Sequence, residues 1–191
     1  MMELVSKAIL FATKAHDGMR RKKSECPYIL HPLEAAVIVS SMSEDQELIA
    51  AAVLHDVVED AGIRMEEIEA QFGKRVRMLV ECETEDKREG MSAKDTWLIR
   101  KEESLQKLKE ANDPAVMMLW IGDKLANIRS IYRDWREEGD AMWQRFNQSD
   151  PKIQAWYYKT IAELTKAISH TAAWIEYNAL TQIVFEKGRG S

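Results

Sequence analysis

Apolar residues recur at helical spacing along almost the whole chain, and this pattern limits the possible fold more than any other feature. In the first segment, Leu4, Ala8 and Ala12 lie on one face of a helix that Gly18 would end. No useful length of the sequence alternates apolar and polar residues with the period of two that a half-buried strand shows. The sequence therefore predicts an all-α protein of about ten helices.

Proline, glycine and capping residues predict where these helices begin and end. Ser43 and Gln46 have the spacing of a capping box, which would open a helix that continues through Val58. The charged stretch 85–94 contains Gly90 and is expected to be a surface loop. The other helices are predicted from similar signals, among them Asp113-Pro114 and Asp150-Pro151, at about 4–15, 32–42, 65–72, 74–83, 95–111, 114–135, 140–146, 151–169 and 172–187.

Composition excludes several classes of protein. The 191 residues suit one domain, 1–191, and 27 Lys and Arg against 32 Asp and Glu leave a net charge of −5, which disfavours a nucleic-acid-coating protein. Two cysteines are too few for a disulfide scaffold or a cysteine-based zinc site. No apolar run approaches the roughly 20 residues of a membrane helix, and the N-terminus does not resemble a signal peptide. We therefore expect a cytoplasmic protein that binds neither nucleic acid nor membrane.

Histidines and acids stand in or beside apolar helical segments. His31 precedes a helix-starting proline, the pair His55-Asp56 lies in a run of Ala, Val and Leu, and Asp123 lies in a second apolar run. Burying such groups without partners costs several kcal/mol, and one divalent cation would satisfy all four. Two imidazoles and two carboxylates suit manganese, iron or zinc. Water held by such a cation has a lowered pKa and becomes a nucleophile near neutral pH.

The spacing around these residues suggests further roles. Glu59 and Asp60 lie four residues after His55 and Asp56, so a second acidic pair would face the same region and could orient or deprotonate water. Asn127, one turn after Asp123, would face the same cavity and could contact a ligand. A buried histidine or a single His-Asp pair is usually structural. Four such residues in three separate apolar segments favour a metal site.

A run of four cations, Arg20 to Lys23, precedes the proposed metal ligand His31 by about ten residues. Such a run alone is most often a solvated surface, but its proximity to the site favours an anion-binding role. Lys87, Arg100 and Lys101 would add positive charge there, with a structural role equally open. The other two histidines, His16 and His170, have no comparable context and are expected to be surface or capping residues.

Ordered motifs in the first two thirds of the chain resemble those of the HD-type (p)ppGpp hydrolases of the RelA/SpoT family, above all the stand-alone small alarmone hydrolases. The resemblance covers about residues 3–135, with predicted helices at about 140–187 packing on that part. The loop Lys23–Cys26 departs from the family pattern because it lacks a glycine that many relatives have. The matching motifs are Ala15-His16-Asp17-Gly18 with Arg21-Lys22, Pro27-Tyr28-Ile29-Leu30-His31-Pro32, Leu54-His55-Asp56-Val57-Val58-Glu59-Asp60, Phe72-Gly73-Lys74-Arg75-Val76 and Gly122-Asp123-Lys124-Leu125-Ala126-Asn127-Ile128-Arg129.

The resemblance implies an all-α HD fold and hydrolysis of the 3′-pyrophosphate of ppGpp or pppGpp to GDP or GTP and pyrophosphate. It implies one manganese ion per chain and a guanine nucleotide as substrate. Glu59 and Asp60 would help to activate water. The implied manganese ligands are His31, His55, Asp56 and Asp123, and the implied substrate contacts are Arg21, Lys22 and Asn127.

Two other functions remain open from the sequence. One is a related metal-dependent phosphohydrolase acting on another nucleotide, such as an NADPH 2′-phosphatase. The other is a metal-bound helical module that regulates or binds without catalysis. The pair Glu59-Asp60 disfavours the second, because a binding module has no need of residues that activate water.

Overall fold

Ten α-helices make up most of the part that the structure, a computed structural model, describes: residues 2–21, 25–88 and 90–186. Within these ranges the only strand-like pairing is one bridge between Arg20 and Pro27, so the all-α prediction is confirmed. Two 3₁₀ helices, Gly139–Arg145 and Lys166–Ile168, lie among the later helices. In chain order the α-helices are α1 (Leu4–Ala15), α2 (Leu30–Ser40), α3 (Gln46–Leu54), α4 (Val57–Ala61), α5 (Met65–Phe72), α6 (Lys74–Glu83), α7 (Trp97–Ala111), α8 (Pro114–Glu138), α9 (Pro151–Leu164) and α10 (Ala172–Phe185).

The core is built around α3 and α8. Helix α3 packs against α1, α2, α6 and α8, and every residue from Leu48 to Leu54 is buried. The three alanines Ala50 to Ala52 lie in this segment, and their short side chains let the neighbouring helices approach closely. Helix α8 also contacts α2, α6 and α10, so it joins the two halves of the chain. Among the described residues, no helix has both the length and the apolar content needed to cross a membrane.

Acidic N-caps begin three of the helices. The pairs Asp113-Pro114 and Asp150-Pro151 do start α8 and α9, each aspartate accepting a bond from a backbone N–H of the first turn. The capping-box prediction at Ser43 was wrong. Asp45 caps α3 instead, because its carboxylate accepts bonds from the N–H groups of Glu47 and Leu48 and also pairs with Arg75.

Several predicted boundaries were wrong. Helix α2 begins at Leu30, two residues before Pro32, and the segment predicted as a helix at 140–146 is a 3₁₀ helix. The helix predicted through Val58 is broken at His55 and Asp56, where α3 ends and α4 begins. Local sequence gives no sign of this break, because neither glycine nor proline lies between Gln46 and Ala61. The break turns the two side chains toward the neighbouring helices α2 and α8.

Helices α2 and α8 approach closely at Gly122. A Cβ atom built on this residue would lie 2.5 Å from Val39 Cγ2 and 3.0 Å from the carbonyl oxygen of Ala35. A backbone carbonyl does not yield by rotation of a side chain, and valine is stiff at χ1. Glycine at this position therefore sets the distance between α2, which carries His31, and α8, which carries Asp123.

We expect Gly122→Ala to destabilise the protein by about 1–3 kcal/mol, because overpacking of a core contact outweighs the roughly 1 kcal/mol gain in helix propensity. Urea unfolding measures the change. In a Val39→Ala background the same substitution should cost clearly less, since one of the two clashing groups is gone. A Gly122→Ala protein as stable as the wild type would show that the helices can separate freely.

Candidate active site

Four predicted metal ligands from four helix segments meet in one place. His31 lies in the first turn of α2, His55 and Asp56 at the junction of α3 and α4, and Asp123 in the middle of α8. His31 Nε2 is 2.9 Å from Asp123 Oδ1 and 3.5 Å from Asp56 Oδ2. His55 Nε2 is 3.1 Å from Asp56 Oδ2 and 3.5 Å from Asp123 Oδ1. One atom each of His31, His55 and Asp123 lies within 4.8 Å of the others, a grouping that could hold a metal ion.

The His55 side chain is oriented as a metal ligand would be. Its Nδ1 lies 2.8 Å from the backbone oxygen of Ala52, so Nδ1 carries the proton and donates it. Its Nε2 is buried and makes no well-aligned hydrogen bond with any described residue, although Asp56 Oδ2 is nearby. A buried ring nitrogen without a hydrogen-bond partner is costly, and a cation would relieve that cost. The donor set of imidazole nitrogens and carboxylate oxygens therefore fits a divalent transition metal.

Burial and charge act against each other in this cluster. Burial favours the neutral form of Asp123, but Lys124 and the imidazoles outweigh it and hold the pKa of the carboxyl well below its usual range. Burial likewise opposes a charge on His55, yet Asp56 and Asp123 raise the pKa of its imidazole well above the usual value. The carboxylates therefore stay ionised, and cation binding competes with a proton on His55.

The proposed catalytic pair lies in the short helix α4, next to the cluster. Glu59 Oε1 accepts a bond of 2.7 Å from the backbone N–H of Glu85. Lys87 Nζ donates to Asp60 Oδ1 at 2.5 Å and to the backbone oxygen of Glu59 at 2.8 Å. Burial, reinforced by the charge of Asp56, raises the pKa of the Glu59 carboxyl to about 7. A carboxyl with this pKa can accept or donate a proton at neutral pH.

Lys124 is a site residue that the sequence analysis missed. Its ammonium group contacts Asp123 Oδ2 and donates to Glu83 Oε1 at 2.9 Å. The other oxygen of Asp123 faces the histidines and accepts a 2.7 Å bond from Asn127 Nδ2. Glu83 ends α6 and is buried, and burial raises the pKa of its carboxyl to about 7. A lysine that follows a buried aspartate in an apolar helix was the only sequence signal.

The predicted substrate contacts that the structure describes are all paired with other side chains of the site. Arg21 Nη2 donates to Asn127 Oδ1 at 3.1 Å, so the Asn127 amide is held between Arg21 and Asp123 rather than turned freely toward a ligand. Lys22, with Lys23 of the same basic run, lies outside the described residues. Lys87 pairs with Asp60, as stated above. Arg100 Nη1 and Lys101 Nζ each bind one oxygen of Glu85, at 2.8 and 2.5 Å.

Two expectations about the surroundings of the site are confirmed only in part. His16 is buried, at 3 % exposure, with Nδ1 bound to the backbone oxygen of Ala12 and its ring 5.1 Å from that of Tyr28. It is therefore not a surface residue but the C-cap of α1, whereas His170 is exposed as expected. The segment after α6 is a largely exposed loop, as predicted, but it also packs on the site, because the Glu85 side chain is mostly buried between Arg100 and Lys101.

Two cavities open beside the cluster and share one wall. The larger, about 800 Å³, extends from His31 and Arg21 along α8 to Arg145, Phe146 and Tyr158. The smaller, about 200 Å³, is strongly polar and is lined by the acids of the cluster together with Arg100, Lys101 and Lys124. The residues common to both cavities are Arg21, Tyr28, His31 and Asn127.

An all-helical fold that gathers a histidine, a His-Asp pair and a distant aspartate is typical of the metal-dependent hydrolases called HD-domain proteins. The family model described as "HD domain" matches residues 8–150. The chain belongs to the HD domain family, among its HD-type (p)ppGpp hydrolases. The resemblance expected from the motifs is thereby confirmed, and so is the expectation of a metal-dependent hydrolase.

The relatives include long and short proteins. Guanosine-3′,5′-bis(diphosphate) 3′-pyrophosphohydrolase of Aquifex aeolicus is 37% identical over 138 residues, which are 71% of this chain but only 19% of that protein. The enzyme of the same name from Mus musculus is 32% identical over 93% of this chain and 91% of its own length. The chain thus spans about a fifth of the Aquifex aeolicus protein and nearly all of the mouse protein.

Two solved structures share the fold of this chain. A protein of Listeria monocytogenes EGD-e superimposes with a TM-score of 0.71 and 28% identity, over 82% of this chain and 99% of its own. A metazoan ortholog of SpoT, described as hydrolysing ppGpp, superimposes with a TM-score of 0.74 over 95% of this chain and 96% of its own. At 23% identity this second likeness concerns the fold.

We expect Mn²⁺ to stabilise the protein and His55→Ala to remove that effect, because the substitution deletes the buried Nε2 of the cluster. At a hundredfold excess over its Kd, a ligand of the native state adds about 2.7 kcal/mol, or roughly 5–10 °C in Tm for a chain of this size. Scanning calorimetry with Mn²⁺ and with EDTA measures the shift. His170→Ala, at an exposed histidine, is the matched control and should keep it. An undiminished shift in His55→Ala would refute the ligand assignment.

Proposed function

We propose that this protein is a manganese-dependent cytoplasmic enzyme that hydrolyses the 3′-pyrophosphate of ppGpp and pppGpp. One observation carries the proposal: the ligand cluster lies beside the largely buried Glu59, where His31 lines both a large cavity and a small polar one, and Asp56 and Asp123 line the small one. The names of the Aquifex aeolicus and Mus musculus relatives support the same reaction. The products would be GDP or GTP and pyrophosphate.

His31, His55, Asp56 and Asp123 would hold one Mn²⁺ ion. A mixed set of imidazoles and carboxylates suits this ion as well as iron or zinc, and manganese is our choice because the resemblance implies it. When bound, such a cation lowers the pKa of coordinated water and offsets the charge of phosphate oxygens. The contact of Lys124 with Asp123 Oδ2 leaves Oδ1 directed at the two histidines.

Glu59 would act as the general base. Water adds to the phosphorus that is bound to the ribose 3′ oxygen, and the bond between that phosphorus and the ribose oxygen breaks. Glu59 accepts a proton from the water, and the ribose oxygen gains a proton to become a hydroxyl. The bond from the backbone N–H of Glu85 holds one carboxylate oxygen of Glu59 in place. Lys87 holds Asp60 and the backbone of Glu59 in the same way.

The two cavities suggest where each part of the substrate would bind. The small cavity carries the cations Arg100, Lys101 and Lys124 and would take the 3′-pyrophosphate. The larger cavity would take the guanosine and its 5′ phosphates, with Arg21 packed on the base. Asn127 would act by holding Arg21, and Lys22 remains a predicted phosphate contact.

We expect the purified protein with Mn²⁺ to convert ppGpp to GDP and pppGpp to GTP, releasing pyrophosphate in both cases and no phosphate from NADPH. Ion-exchange chromatography of the three parallel reactions identifies the products. Asp123→Ala should abolish turnover, since it removes one proposed ligand. Phosphate from NADPH, with ppGpp untouched, would indicate a nucleotide 2′-phosphatase. A metal-binding protein that acts on none of the three would indicate a non-catalytic module.

We expect Glu59→Gln to retain Mn²⁺ while kcat falls about 10²- to 10⁴-fold, as for the loss of a general base. Because burial raises the pKa of Glu59 to about 7, its ionised fraction and the wild-type rate should rise with pH up to that value. The charge of a bound cation would lower the pKa of Glu59 and move this rise in rate toward lower pH. Rates measured from pH 5 to 9 at saturating Mn²⁺ show where this rise occurs, and Glu137→Gln, at an exposed glutamate, is the control. A normal rate in Glu59→Gln would remove Glu59 from the mechanism.

A further inference from the structure

Tyr28 lies at the meeting point of the two cavities. It precedes α2 in a tight turn, where its backbone N–H donates to the carbonyl oxygen of Met19 at 2.9 Å. Its side chain lines both the large and the small cavity. The sequence analysis quoted this tyrosine only as part of a motif and gave it no role. The hydroxyl and the ring of Tyr28 contact different parts of the site.

The hydroxyl end contacts a proposed metal ligand. Tyr28 donates a hydrogen bond of 2.8 Å to Asp56 Oδ2. The same oxygen lies 3.1 Å from His55 Nε2 and 3.5 Å from His31 Nε2, so it is the oxygen that faces the cluster. A tyrosine hydroxyl keeps its proton at neutral pH and therefore remains a donor. A carboxylate oxygen has two lone pairs and can accept this bond while it binds a cation.

The ring end contacts the proposed substrate-binding residue. The Arg21 guanidinium lies 5.8 Å from the centre of the Tyr28 ring, within the range of a cation–π contact. The ring is supported by His16 at 5.1 Å and by His31 at 6.1 Å, measured between ring centres. These contacts fix the position of the ring and hence of the hydroxyl.

A second connection leads from Arg21 to the other carboxylate. Arg21 donates to Asn127 Oδ1 at 3.1 Å, and Asn127 Nδ2 donates to Asp123 Oδ1 at 2.7 Å. Arg21 is therefore linked to Asp123 through an amide and to Asp56 through a tyrosine. Hydrogen bonds to metal-binding carboxylates orient the ligand and tune its affinity for the metal.

We propose that Tyr28 is a positioning residue with two separable effects: its hydroxyl orients Asp56 for the metal ion, and its ring holds Arg21 for the nucleotide. The proposal rests on the metal and nucleotide sites of the proposed function. Tyr28 itself has no place in the chemical step. Loss of the hydroxyl should weaken metal binding alone, whereas loss of the ring should also weaken substrate binding.

The test compares Tyr28→Phe with Tyr28→Leu. We expect Tyr28→Phe to weaken Mn²⁺ binding, measured by calorimetry on metal-free protein, about tenfold or more, the usual effect of losing a partner of a metal ligand. Saturating Mn²⁺ should restore its kcat, with a KM for ppGpp within about twofold of wild type. Tyr28→Leu should lose the same Mn²⁺ affinity and in addition raise KM about two- to fivefold, the value of an exposed or partly buried cation–π contact.

Tyr177→Phe is the matched control. Tyr177 is a buried tyrosine of α10 that donates to the backbone oxygen of Tyr158 at 2.8 Å, so its loss costs stability without touching the cluster. It should leave Mn²⁺ affinity unchanged. Unchanged Mn²⁺ affinity in Tyr28→Phe, or an equal loss in Tyr177→Phe, would overturn the role of the hydroxyl. Equal KM values for Tyr28→Phe and Tyr28→Leu would overturn the role of the ring. If the wild type hydrolyses no ppGpp, the proposed function fails, and Mn²⁺ affinity alone still decides the role of the hydroxyl.

Discussion

Two ionised carboxylates, one buried and one largely so, beside two imidazoles are the constraint on which the rest of the structure depends. Asp56 and Asp123 lie against α3, whose residues from Leu48 to Leu54 are all buried, and an ionised carboxylate in such surroundings needs positive partners. Lys124 supplies one of them for the outer oxygen of Asp123. Among the described residues, the groups that face the inner oxygens are imidazoles, a hydroxyl and an amide, and this is the arrangement that a divalent cation completes. The contact at Gly122 supports it, because α2 must lie close to α8 for His31 to reach Asp123.

The cations around the cluster are themselves held by acids. Lys87 binds Asp60, Lys101 and Arg100 bind Glu85, and Lys124 binds Glu83 as well as Asp123. A phosphate group that enters the small cavity must therefore compete with carboxylates that already occupy these donors. The carboxylates offset the positive charge of these cations, and the ion pairs keep the flexible lysines in fixed positions. The affinity for a phosphate group then depends on the difference between the bonds that these cations form with phosphate and those that they form with the carboxylates. Removal of a carboxylate partner such as Glu85 therefore need not weaken binding.

The helices and the four proposed ligands could be predicted from the sequence because both follow local rules. Apolar spacing and the Asp-Pro pairs located most helices, and polar residues inside apolar runs located His31, His55, Asp56 and Asp123. Other features depend on contacts between distant segments. The break of the helix at His55 has no glycine or proline to announce it, and the burial of His16 follows from packing against Tyr28. Glu83, which pairs with Lys124, and Asp60, which pairs with Lys87, lie 41 and 27 positions away, a distance over which spacing rules say nothing.

The division of the site into two cavities bears on the kind of ligand that the chain can bind. The net charge of −5 disfavours a nucleic-acid partner, yet it describes the whole surface and not one cleft. Several acids face the proposed cation, and the cations Arg100, Lys101 and Lys124 stand beside them in about 200 Å³, enough for a phosphate group and too little for a nucleoside. The adjoining 800 Å³ is lined by both signs of charge, with Arg133 and Arg145 near Glu34, Asp134 and Glu138. A polyanion would meet those acids, whereas a small nucleotide needs cations only where its phosphates lie. The geometry therefore suits a nucleotide that carries a phosphate group on the side of the ribose facing the cluster.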